Sequence, residues 1–139
     1  ISWGSLVAKL GDSLDWECHM ISLGGGIEPN GGPNVWNPDG GFHAFNQKPL
    51  PGQDPIDGRV VADWEAEIGR LYIKGAQELD EAKRRKIYVE AQRIVQEQVP
   101  FIYLINQYSM SAIRNKVQNV KYSPLGALWN IYEINLAEE

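Results

Sequence analysis

The alternation of apolar and polar positions is most regular over residues 80–107, where it predicts a helix, a stop and a strand. Apolar side chains recur at the 3.6-residue period of an amphipathic helix over residues 80–98, at Ile87, Tyr88, Ala91, Ile94 and Val95. Asp80 precedes this pattern and can accept a hydrogen bond from the free N–H groups of the first turn. Pro100 cannot continue a helix, and the β-branched and aromatic run after it predicts a buried strand over residues 100–107.

The same reasoning predicts four further elements. Ser2 can cap a first helix that Gly11 ends, and a strand follows over residues 15–23. Asp63 can cap a helix over residues 64–78, which forms a helical hairpin with the helix over residues 80–98. A last strand is predicted over residues 128–135. We expect the strands 15–23 and 100–107 to be neighbours in one sheet, with the helical hairpin packed on it.

Residues 24–58 form a long irregular segment between the predicted strand and the hairpin. The segment holds nine of the 14 glycines and six of the eight prolines of the chain. Loops of this length inside a compact domain are uncommon, and they are usually functional or disordered. Trp36, Phe42 and Phe45 lie within the segment, so we expect an ordered loop.

Composition limits the class of protein. A chain of 139 residues with 43% hydrophobic and 22% charged residues is typical of one folded domain. A net charge of −5 argues against nucleic acid or an anionic membrane surface as a partner. The single cysteine, Cys18, excludes an internal disulfide. The chain has no initiator Met and opens directly into a helical pattern, so we expect a fragment of a longer protein.

Candidates for catalysis or metal binding are few. The two histidines are His19, expected to be packed within a strand, and His43, expected to make a surface or turn contact. Cys18 and His19 are adjacent, so on a strand they would point to opposite faces and could not chelate one metal. No further Cys or His has the spacing of zinc ligands. The basic run at residues 83–86 is expected on the solvated face of its helix.

A glycine-rich loop after a predicted strand is the best candidate for binding. In open α/β sheets, ligands collect at the carboxyl ends of the strands, where backbone without Cβ can approach them. Gly24, Gly25 and Gly26 lack the Gly-Lys-Ser/Thr sequence that a phosphate loop requires. Trp36 could provide a stacking wall or anchor the loop to the core. Glu28 could accept a cationic group or be a solvated loop acid.

The order and spacing of many residues resemble the C-terminal part of the family 5 extracellular solute-binding proteins, the oligopeptide-, dipeptide- and nickel-binding components of ABC importers. The resemblance covers essentially the whole chain. It is carried by the following residues: Asp15-Trp16, the run Gly24-Gly25-Gly26-Ile27-Glu28-Pro29, Trp36, Phe42-His43, Asn46, Glu67-Ile68, Leu71-Tyr72, Gly75-Ala76, Arg85, Tyr88, Ala91-Gln92, Ile94, Val99-Pro100, Asn115, Val120 and Leu128-Trp129-Asn130.

The resemblance implies the α/β class and part of a two-lobed, class II periplasmic-binding-protein fold with a mixed sheet and a packed helical hairpin. Residues 1–99 would belong to one lobe, residues 100–107 would lie near the crossover between lobes, and residues 108–139 would form a tail toward the other lobe. A ligand would be trapped between the lobes, and the closed form would dock on a membrane permease. The location implied is the periplasm or the outer face of the cytoplasmic membrane.

The implied function is capture of a peptide or a similar small solute, without catalysis and without a cofactor. The candidate ligand-binding residues are Gly24, Gly25, Gly26, Glu28 and Trp36. Peptide-binding members commonly carry a Trp and an Asp in this loop, and the corresponding positions here, Ser22-Leu23-Gly24-Gly25-Gly26, have neither.

Three alternatives remain open: a binder of a sugar or metal chelate in the same family, a small enzyme domain, or a stand-alone interaction module. An enzyme could draw on His43, Asp39 or Glu28. Self-association of the fragment through residues near its termini is also expected.

Overall fold

The computed structural model describes residues 1–26, 28–106, 108, 110–124 and 126–137. The chain divides into two compact units, Ile1–Ile102 and Tyr103–Glu139. No helix in the described ranges is both long and apolar enough to cross a membrane.

The core of the first unit is an α-helical hairpin. Helix α3 spans Asp63–Gln77 and helix α4 spans Glu81–Gln98. Their facing sides bury Ile68, Leu71, Tyr72, Ile87, Tyr88, Ala91, Ile94 and Val95. Gly75 allows the two helices to approach closely, because a Cβ there would lie 2.5 Å from Cζ of Tyr88. The predicted hairpin and its one-sided helices are confirmed.

The ends of these helices follow the sequence signals at two of three places. The Asp80 carboxylate accepts a hydrogen bond from the Lys83 N–H at 3.0 Å, as predicted for a cap. Helix α4 stops before Pro100, and Val99 reverses the chain at a φ of 48°. The predicted Asp63 cap is wrong, because Asp63 is already helical. Ala62 is the N-cap residue, and its N–H donates to the Glu65 carboxylate at 3.3 Å.

The N-terminal segment forms a longer helical turn than expected. Helix α1 spans Trp3–Ala8 and is capped by Ser2, whose hydroxyl accepts from the Ser5 N–H at 3.1 Å. The predicted stop at Gly11 is wrong. A π-helical turn continues over Lys9–Ser13, and the chain reverses at Leu14, with a φ of 53°.

The long segment before α3 is ordered by short turns. A 3₁₀ turn at Pro29–Gly31 leads into helix α2, Pro33–Trp36, and a second 3₁₀ turn covers Ala44–Asn46. Proline at the first position of the first two elements presets their φ angle. The expectation of an ordered loop is confirmed for the residues of this segment that the structure describes.

The predicted strands 15–23 and 100–107 are wrong for the residues that the structure describes. Both segments lack strand pairing there, so the expected sheet between them does not form. Ile102, Leu104 and Ile105 are between 64% and 83% exposed, rather than buried. A strand needs a neighbour for its N–H and C=O groups, and neither segment has one among the described residues. Gln107, the last residue of the second prediction, lies outside the described residues.

The second unit contains a small antiparallel sheet. Strand β1, Val117–Gln118, pairs with β2, Asn135–Leu136, with Val117 opposite Leu136. The predicted strand 128–135 is mostly wrong, because Ile131–Glu133 form a 3₁₀ turn. The buried Asn130 amide donates to the Asn119 carbonyl at 2.9 Å and to the Glu133 carboxylate at 3.0 Å. The second contact joins residues three apart and favours the turn over an extended strand. The helices and this small sheet are consistent with an α/β fragment.

Candidate functional site

Trp36 lies in an aromatic cluster against the helical hairpin. Its ring centroid is 6.5 Å from that of Tyr72 on α3, and 6.3 and 5.6 Å from those of Phe45 and Phe101. The indole is therefore half-buried between the loop and the hairpin. Of the two roles considered from sequence, anchoring the loop is the one these contacts support.

Gly32 is required beneath this tryptophan. A Cβ at Gly32 would lie 2.9 Å from the Trp36 ring and 3.2 Å from the Tyr72 ring. Distances this short require one of the two rings to shift, so a side chain at position 32 would disturb the packing of Trp36 on α3.

Glu28 lies at the other end of the same loop, beside α4. Its Oε1 is 3.5 Å from Nη2 of Arg84, and its side chain is 60% exposed. Next to it, the Tyr88 hydroxyl donates to Oδ1 of Asn30 at 3.4 Å. Burial raises the pKa of Tyr88, and the nearby Glu28 charge adds to this rise while Arg84 opposes it. These four residues form a polar cluster, which we call the Glu28 cluster.

The aromatic rings connect Trp36 to the Glu28 cluster. Tyr72 contacts Trp36 on one side, and its centroid is 5.3 Å from that of Tyr88 on the other. The structure thus places Glu28 and Trp36 along one line of side chains over the hairpin. Tyr72 and Tyr88 are 8% and 4% exposed, so their rings form the packed base of this line, and Glu28 and Asn30 are its exposed polar groups.

Gly24, Gly25 and Gly26 do not join this line. All three are exposed, and among the described residues their N–H groups have no hydrogen-bond acceptor. A Cβ on Gly24 or Gly25 would meet nothing within 4 Å, and one on Gly26 would touch only the Glu28 carbonyl at 3.7 Å. Their backbone is open to a solute from solvent. Ile27, between them and Glu28, lies outside the described residues.

His43 is a buried structural residue, so the expected surface or turn contact is wrong. Its Nδ1 lies 2.8 Å from the Val35 carbonyl, and its Nε2 lies 3.1 Å from Oε2 of Glu65. The amide of Asn46 donates to the same Glu65 oxygen at 2.7 Å. Fully enclosed and bonded at both nitrogens, His43 holds the loop on α3 and is inaccessible to a substrate.

The remaining candidate chemical groups do not assemble into a centre. The His19 ring packs edge-on against Trp16, with centroids 4.4 Å apart, and Cys18 beside it is exposed. Within the described part of the chain, no three His, Cys, Asp or Glu residues are placed to hold a metal ion.

A shallow cleft of about 280 Å³ lies between Trp16, Phe45 and Arg59. The Arg59 guanidinium donates to the carbonyls of Asn46 and Pro38 at 3.1 Å, so its hydrogen bonds hold the loop together.

Sequence reasoning missed Arg84 and Asn30 as members of the cluster. The sequence predicts Arg84 on the solvated face of its helix with the rest of the basic run, yet its side chain is only 25% exposed. Arg84 and Tyr88 are four residues apart on α4 and therefore share a face. This spacing is the sequence signal that could have identified Arg84 as a neighbour of Tyr88. The other three residues of the run, Lys83, Arg85 and Lys86, are exposed as expected.

Comparison with known proteins gives one informative match. The chain is 28% identical over 139 residues to Di/tripeptide-binding protein 1 from Pseudomonas aeruginosa (strain UCBPP-PA14). The match covers 98% of this chain, which spans 23% of the length of that protein. It supports a relationship to a solute-binding protein. No protein-family model and no solved structure matched the chain.

Proposed function

We propose that this chain is the C-terminal part of a substrate-binding component of an ABC-type importer, of family 5, with a peptide or similar small solute as ligand. The observation that supports this proposal is the 28% identity to Di/tripeptide-binding protein 1 along nearly the whole chain. On this proposal, the chain contributes to a two-lobed fold and traps ligand without transforming it. It acts in the periplasm or on the outer face of the cytoplasmic membrane and delivers ligand to a permease.

We propose that the ligand is contacted by residues of the loop from Gly24 to Trp36. The open backbone of the three glycines can donate N–H groups to a peptide, as edge-exposed backbone does in peptide recognition. Glu28 is more than half exposed, so its carboxylate can meet a ligand. Trp36 fixes the far end of the loop to the hairpin.

The test is calorimetric titration of the full-length protein with di- and tripeptides, compared with a monosaccharide and a metal chelate. We expect saturable binding of a peptide. Binding of the sugar or chelate alone would reassign the ligand class, and binding of none of these solutes would contradict the proposal.

The role of the loop is tested by Gly25→Val and Glu28→Ala. Gly25 has open space around it and no left-handed φ, so valine fits without disturbing the fold. We expect weaker peptide affinity in both variants, because valine obstructs the backbone and alanine leaves the Arg84 guanidinium unpaired, where it repels a peptide ammonium. Gly4→Ala, equally open but in α1, is the matched control. Unchanged affinity in both loop variants would remove this loop from the site.

A further inference from the structure

The Glu28 carboxylate already has a cationic partner in the structure. Nη2 of Arg84 is 3.5 Å from Oε1 of Glu28, within the range of an ion pair. The Arg84 side chain is 25% exposed, against 60% for Glu28, and its Nη1 donates to the Glu78 carbonyl at 3.4 Å. Arg84 is thus the more fixed member of the pair, and Glu28 is the member that faces solvent.

Within the part of the chain that the structure describes, the Arg84 guanidinium has no ion pair besides the one with Glu28. The other members of the Glu28 cluster, Asn30 and Tyr88, are neutral hydrogen-bonding groups. Within the described ranges, Glu28 has no ion pair besides the one with Arg84. The formal charge of the loop acid and its partner is therefore zero.

We propose that Arg84 determines specificity at this loop: it neutralises Glu28, so the loop accepts an N-blocked or uncharged peptide end nearly as well as a free ammonium. This inference rests on the proposed peptide-binding function. An incoming ammonium must compete with Arg84 for the Glu28 carboxylate. An uncharged end has no such competitor and uses the backbone and amide groups instead.

The exposure of the Glu28–Arg84 pair sets how strongly Arg84 competes with a ligand ammonium for the Glu28 carboxylate. Exposed ion pairs of this kind contribute a coupling equivalent to at most about a fivefold change in an equilibrium constant. Removing the Arg84 charge should therefore raise affinity for a free amine by about twofold to fivefold. The effect should shrink at high salt, because both partners are near solvent.

The experiment titrates the full-length protein with alanyl-phenylalanine and its N-acetylated form at low salt. The measured quantity is the ratio of the two dissociation constants. We expect a ratio near one in the natural protein and a shift of about twofold to fivefold toward the free amine in Arg84→Gln. Arg85→Gln is the matched control: it removes the same charge one residue away, from an exposed side chain without contact to Glu28.

In the double variant Glu28→Gln/Arg84→Gln, we expect the ratio of dissociation constants to return to near one, because no carboxylate is left to bind the ammonium. An unchanged ratio in Arg84→Gln, or an equal shift in Arg85→Gln, would overturn the inference and leave the peptide function standing. Failure of both peptides to bind the natural protein would instead contradict the proposed function and the inference with it.

Discussion

At the residue scale, the buried pair of His43 and Glu65 determines how the loop is attached to α3. The ring and the carboxylate are 0% and 6% exposed, and Asn46 and the Val35 carbonyl complete their hydrogen bonds. Polar groups enclosed in this way are costly when one partner is removed, since the other stays buried without a bond.

We expect Glu65→Ala to lower the free energy of unfolding by about 3 kcal/mol, because it leaves the His43 Nε2 and the Asn46 amide without their acceptor. Glu67→Ala, two residues along α3 in an exposed pair with Arg70, should change it by less than about 0.5 kcal/mol. Chemical denaturation of the three proteins measures both effects. Equal losses for the two variants would show that the network contributes no more than a surface ion pair.

At the element scale, α4 depends on its first turn. Asp80 is the N-cap residue, and its carboxylate satisfies the Lys83 N–H. The opposite end needs no side-chain cap, because the left-handed Val99 returns its N–H to the Val95 carbonyl at 2.9 Å.

We expect Asp80→Ala to destabilise the protein by about 1 kcal/mol, since alanine cannot accept the N–H bond. Asp80→Asn should recover most of the loss, because the amide oxygen is still an acceptor. Glu81→Ala is the neighbouring control, being exposed and outside the cap contact. Thermal unfolding measures the order of stability of the natural protein and the three variants. A loss of stability in Glu81→Ala as large as that in Asp80→Ala would contradict the cap as the cause.

At the scale of the whole molecule, apolar side chains are exposed at the N-terminus and in the run of residues 102–105. Ile1 and Trp3 are 89% and 67% exposed, and the run at residues 102–105 is at least 64% exposed. Surface of this kind promotes association when it is contiguous.

We expect the 139-residue chain, expressed alone, to self-associate through the run at residues 102–105. Ile102→Lys with Leu104→Lys should reduce association, because buried lysine charges oppose contact between copies. Lys86→Glu, a charge change on the exposed basic run, is the control. Sedimentation velocity measures the outcome, and a monodisperse monomer of the unmodified chain would contradict this prediction.

The sequence by itself determined the helical hairpin and most of its boundaries. The 3.6-residue pattern, the Asp80 cap and Pro100 act between residues that are close along the chain, so they operate without the rest of the fold. It also placed the ordered loop correctly, because prolines preset its turns and its aromatic residues can pack on the hairpin.

Only the tertiary structure decided which residues meet across distance. The pairs Glu28–Arg84 and His43–Glu65 join the loop to α4 and α3, and no local pattern encodes either contact. The strand predictions failed for the same reason. Apolar β-branched runs favour extended backbone, but a strand exists only where another strand supplies hydrogen-bond partners. In the folded chain, Val117–Gln118 has a neighbouring strand to pair with. The run at residues 102–106 is longer and more apolar, but among the described residues it has no such partner strand.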